Sequence, residues 1–175
     1  EFPKEIQTGV GGLTVQTSPT LIGNLEGAFA YMRDYPYSCW EQKLSKGVVA
    51  SHYNNLLDYL ADDLTWTESK QLPTETLALA ADYQAPNGGM SLWLAKDDYV
   101  RPYLSAYTAL AFNWLRDSGY AIPEAVENKL HEYLLTLLRR DVMPSVYTKN
   151  MSSTIRAVAL AALAKHQKIA RADLT

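Results

Sequence analysis

A mostly α-helical fold is predicted by three observations. From residue 20 onward apolar side chains recur at three- and four-residue steps, the period of one helix face. Strand-type alternation is confined to one short stretch near the start. Turn signals cut the remainder into segments of helical length. With 175 residues, the chain is the size of one domain and can bury a real core.

Residues 1–19 stand apart. Leu13-Thr14-Val15-Gln16-Thr17 alternates apolar and polar side chains, follows Gly9, Gly11 and Gly12, and ends at Ser18-Pro19, which reads as one strand. A lone strand is not stable, so it belongs to a sheet whose other strands lie elsewhere. Over residues 20–175 the pattern predicts helices near 24–34, 39–61, 74–85, 101–118, 123–140 and 152–170. Leu44, Val48, Leu56, Leu57 and Leu60 mark the core face of the second. Gly119 suits the end of the fourth, Pro123 the first turn of the fifth, and Ser152 or Ser153 the cap of the sixth. Asn87-Gly88-Gly89 is a turn signal, because glycine tolerates positive φ.

The stretch Tyr35-Pro36-Tyr37-Ser38-Cys39-Trp40-Glu41-Gln42 holds the sole cysteine. Ser38 and Glu41 have the S-x-x-E spacing of a capping box, which starts a helix at Cys39. Free amides and the positive end of the helix dipole would then favour a thiolate. Gln42, three residues on, shares a face with Cys39, close enough for sulfur to attack its amide carbon. Ammonia would leave, and an internal thioester would remain. A cysteine at a helix start is otherwise an ordinary packed small hydrophobe, and that reading stays open on spacing alone.

Cys-x-Glu-Gln resembles the thioester motif of the α2-macroglobulin and complement family, and the longer YPYSCWEQ is similar to its bacterial branch. Ser38 stands where bacterial members usually carry glycine or another small residue, and Trp40 stands at a variable position. The resemblance implies a Cys39–Gln42 cross-link, with Tyr35 or Tyr37 shielding it. It implies a small β domain before the helical one, with residues 1–19 as its last strand. The pattern helix, Gln84-Ala85-Pro86-Asn87-Gly88-Gly89-Met90, then a helix with Ser105-Ala106-Tyr107-Thr108-Ala109-Leu110 resembles the repeat of α/α-toroid domains. Ser153-Thr154-Ile155-Arg156-Ala157-Val158-Ala159-Leu160 is similar to a second copy. Residues 20–175 are then the N-terminal part of such a toroid, built of helical hairpins, with Ala106, Ala109, Ala157 and Ala161 letting inner helices approach.

The function so implied is a protease inhibitor that traps its attacker covalently, a single-use acyl transfer without turnover or cofactor. In complement-type members a distant histidine redirects the acyl group to hydroxyls. The comparable stretch here, Asn87 to Val100, has no histidine, which implies attack by amines such as lysine side chains of target proteases. The kinship also implies a periplasmic setting, with any membrane anchor in another part of the parent protein.

Other classes fare less well. A net charge of −3 and a pI near 5.6 without a basic cluster argue against nucleic acid. No apolar run is long enough to span a bilayer. His52, His131 and His166 lack ligand spacing and read as helix-surface residues, so no metal is expected. Asp62-Asp63 and Asp97-Asp98 could supply the acid and base of a toroid glycosidase, although adjacent residues point different ways. A non-covalent interaction module of an envelope complex is the principal alternative, in which no thioester forms.

Overall fold

The computed structural model describes residues 9–11, 25–60, 64–96, 99–140 and 143–174. The expected strand at 13–17 and both aspartate pairs lie outside these residues. Six α-helices follow one another among the described residues: α1 (Leu25–Asp34), α2 (Trp40–Leu56), α3 (Leu72–Ala78), α4 (Pro102–Asp117), α5 (Glu124–Arg140) and α6 (Lys149–Ala164). Gln84 and Met90 form an isolated antiparallel bridge. The mostly α expectation holds, and helix bounds differ from it in ways with local causes.

Helix α2 gives way at Leu57 to a 3-10 turn, and near this end Asn54 turns its side chain to the following loop, donating to the Ser69 carbonyl and accepting from its hydroxyl. Helix α3 starts earlier than expected, with Pro73 in the first turn, where a missing N–H costs nothing. It continues as a 3-10 turn over Ala80–Tyr83, whose spacing the 3.6-residue period does not describe. Helix α6 starts a turn before Ser152 and Ser153. Thr148 is its cap, accepting from the Met151 amide at 3.3 Å, and the polar first turn hid this start. Gly119 closes α4 as expected: at φ +90° its amide reaches the Arg116 carbonyl and the Tyr120 amide the Leu115 carbonyl.

Helix α4 is the inner element. Ten of its 16 residues are buried, including Ala106, Ala109 and Ala111, and it packs against α2, α5 and α6. In α6 the buried set is Ile155, Ala159, Ala162 and Leu163. Ala157 and Ala161, expected at a helix interface, are exposed, since they fall off the face that Ile155 and Ala159 turn inward. A smaller cluster of Phe29, Ala50, Tyr53 and Trp66 joins α1 and α2 to the loop before α3.

Trp40, the first residue of α2, is fully buried at the centre of the main core. Its ring stacks on Tyr83 at 5.2 Å and its indole N–H donates to Thr108 Oγ1 at 2.9 Å. The turn after Tyr83 is equally constrained. A Cβ on Gly88, at φ +90°, would sit 2.4 Å from the Lys129 carbonyl oxygen, so this turn presses directly on α5.

Two outcomes test this packing. Thr108→Val keeps the shape but orphans the buried indole N–H, and should cost about 1–3 kcal/mol in denaturant unfolding. Thr154→Val, which removes an exposed hydroxyl bonded to Asn150, should cost almost nothing. At the C-terminal end, Arg139 donates to both carboxylate oxygens of Asp173, at 2.9 and 3.1 Å, and the Ala170 amide adds a third bond. These bonds, Arg139 foremost, hold the Asp173 carboxyl at about 2, below its ordinary 3.8. A depressed carboxyl stabilises the fold above its unfolded pKa, and that contribution disappears as pH falls through the folded one. Asp173→Asn should therefore flatten the loss of stability between about pH 4 and pH 2 in thermal melts.

Candidate functional site

The expected Ser38–Glu41 box is not the one that forms. Cys39 itself is the N-cap, with extended backbone at φ −68° and ψ 168°, and Gln42 occupies the third helical position. Gln42 Oε1 accepts from the Cys39 amide at 3.0 Å, and the Gln42 amide faces the Cys39 side chain in return. Ser38 and Glu41 are both exposed. Trp40, the first helical residue, is completely buried. Its amide then donates to the Leu92 carbonyl at 2.8 Å, which pins the first turn to the segment after the glycine turn.

Cys39 and Gln42 thus share one hydrogen-bonded turn, the carboxamide folded back over the cap. The thiol is buried, with Cys39 only 6% exposed, although a cap position lies on the solvent side of most helices. Two tyrosines flank it. Burial raises the pKa of both, and Cys39 opposes the ionisation of each, Tyr35 from the preceding loop and Tyr83 from the turn after α3. Tyr37 is 67% exposed, its ring edge-on to Tyr35 at 5.5 Å. Of the two tyrosines expected as shields, Tyr35 is the less exposed and the one whose ionisation Cys39 opposes. Tyr83 escaped the sequence reading, for it lies 44 positions from Cys39 and no local pattern joins them. A groove of about 300 Å³, lined by Tyr35, Tyr37, Ser38, Lys43, Lys46 and Glu75 among others, opens next to this turn.

The histidines also depart from expectation. His52 is exposed, as foreseen, but His131 is 1% exposed and His166 is half-buried, their rings 4.5 Å apart. Both face Glu127, and Arg116 donates to the second oxygen of that carboxylate at 2.5 Å. Burial pushes the His131 pKa down to about 4, so its imidazole is neutral at physiological pH. Helix α4 and the turn after α6 meet here across the face of α5, an arrangement that sequence spacing does not reveal.

Among the described residues, no helix is long and apolar enough to cross a membrane. No family model matches the chain. Alpha-2-macroglobulin of Xylella fastidiosa is 31% identical over 118 residues, which is 64% of this chain and 7% of that protein. Native alpha-2-macroglobulin of E. coli superposes with a TM-score of 0.68 at 24% identity, covering 86% of this chain and 10% of that one. Salmonella alpha-2-macroglobulin reacted with methylamine gives a TM-score of 0.67 at 25% identity, again over 86% of this chain and 10% of that one. The chain therefore spans a small part of each relative's length. In sequence over part of its length, and in fold over most of it, the chain is similar to bacterial alpha-2-macroglobulins.

Proposed function

We propose that this fragment is the thioester-bearing part of a bacterial α2-macroglobulin-like protease inhibitor, with Cys39 and Gln42 as the reacting pair. The observation that carries the reading is their shared turn: a buried thiol, with the Gln42 carboxamide hydrogen-bonded to the amide of the same cysteine. Formation of the bond is balanced without a cofactor. The Cys39 sulfur attacks the Gln42 amide carbon, the C–N bond breaks, and nitrogen departs as ammonia with the thiol proton. When an amine reaches the carbonyl, a new C–N bond forms, the C–S bond breaks, and Cys39 takes up the proton as a free thiol. Each molecule acts once, so the protein is an acyl trap and not an enzyme.

Burial of Cys39 and the neighbouring Tyr35 and Tyr83 supply what such a bond needs, exclusion of water until the parent protein rearranges. The methylamine reaction recorded for the Salmonella relative supports an amine as the nucleophile. Target proteases are the partners of the whole protein, through their lysine side chains. The helical arrangement, with α4 inside, is the N-terminal portion of an α/α toroid, and the setting is the periplasm.

The test is an intact mass of the full-length protein with and without methylamine. The untreated protein should be one ammonia lighter than its sequence requires. Methylamine should bring a mass gain that maps to Gln42, together with one newly titratable thiol. Cys39→Ala should abolish both changes. An unshifted mass with Cys39 freely titratable would favour the non-covalent interaction module.

A further inference from the structure

The most unusual polar chemistry outside the Cys39 turn lies where α4, α5 and the end of α6 meet. Glu127 and His131 stand four residues apart on the buried face of α5, and His166 reaches them from just beyond α6. His131 Nε2 lies 3.9 Å and His166 Nε2 3.8 Å from the same oxygen, Glu127 Oε1, and one ligand atom from each residue falls within 4.8 Å of the other two. Three of the atoms involved, Glu127 Oε1 and both ring nitrogens of His131, are buried without a hydrogen-bond partner in the protein. Native interiors rarely leave even one such atom unsatisfied, because each costs about 1–3 kcal/mol.

We propose that Glu127, His131 and His166 form a binding site for a divalent transition-metal ion, zinc by the character of its donors, that ties α5 to the turn following α6. Two imidazoles and one carboxylate are a zinc-type donor set, leaving a fourth position to water. Around a common ion with bonds of about 2.1 Å the donors would stand about 3.4 Å apart, so the two carboxylate separations close by roughly half an ångström. The widest separation closes by up to about 1.4 Å, and His166, on a turn, is the residue free to move.

The surroundings fit an ion-holding role. Arg116 grips Glu127 Oε2, which fixes the carboxylate and turns Oε1 toward the imidazoles. His166 Nε2 is bonded to Asn113 Oδ1 at 2.8 Å and would exchange that bond for the metal. Asn113 would remain satisfied, for Oδ1 also accepts from Arg116 at 3.2 Å and Nδ2 donates to the Ala162 carbonyl. The positive charges of Arg116, Lys165 and Lys168 act on the cluster and oppose any cation, so an ion held here is bound by the imidazole nitrogens and not by net charge.

The test is independent of the thioester. Metal-stripped full-length protein in a Cys39→Ala background, so that the Cys39 thiolate does not contribute, is titrated with Co2+ and followed by visible absorption. The expected result is a d–d band that saturates at one ion for this site and is bleached by Zn2+. His166→Ala should weaken that binding by at least about 10-fold. His52→Ala, at an exposed histidine, should leave it unchanged. Circular dichroism checks that the partly exposed His166 is replaced without loss of fold. The titration of the Cys39→Ala protein with His166 intact decides even if the His166 variant misfolds. No saturable band, an equal band in His166→Ala, or a band lost only with His52→Ala overturns the proposal and leaves a bridging water as the partner of the orphaned atoms.

Discussion

The burial of Trp40 is the constraint on which this arrangement rests. Its indole reaches into the core between Tyr83 and Thr108 while its own backbone amide is held by Leu92. Three separate parts of the chain therefore converge on one residue at the mouth of α2: the turn after α3, the segment after the glycine turn, and the inner helix α4. The helix starts at this anchored residue, position 40. The residue before it is obliged to become the cap. A poor capping residue by ordinary preference is placed there by packing, and its sulfur is drawn under cover with it.

Long-range packing of this kind explains what the sequence did and did not make legible. The helix order was readable because apolar periodicity is local, and Gly119 was readable because a left-handed residue after a helix is a demand that glycine meets best. The cap was misread by one position. Ser38–Glu41 and Cys39–Gln42 have the same spacing, and serine is the better cap in isolation, so only the core could decide between them. The faces of α6 were misread for a related reason: alanine is small enough for either side of a helix, and only Ile155 and Leu163 show which side is covered.

The histidines mark the limit more sharply. His131 and His166 are 35 positions apart, and although Leu134 and Leu138, at i+3 and i+7, put His131 on the apolar face of α5, no spacing joins it to His166. Their meeting depends on how α6 crosses α4, which brings Asn113 against the Ala162 carbonyl and so delivers the end of α6 to α5. Polar residues gathered in this way fix the relative setting of three helices more narrowly than apolar packing alone, since hydrogen-bond geometry tolerates less slippage than contact between methyl groups.

The bond between the Cys39 amide and Gln42 Oε1 has a meaning beyond helix capping. In acyl transfer the carbonyl oxygen is where negative charge accumulates as a tetrahedral centre forms, and donors already aimed at it act as an oxyanion hole. Here the donor is a backbone N–H at a helix start, 3.0 Å from that oxygen and reinforced by the positive pole of α2. Under the proposed thioester chemistry, the group that orders the resting turn would also be oriented to steady the charge-bearing intermediate, without any side chain having to move into place.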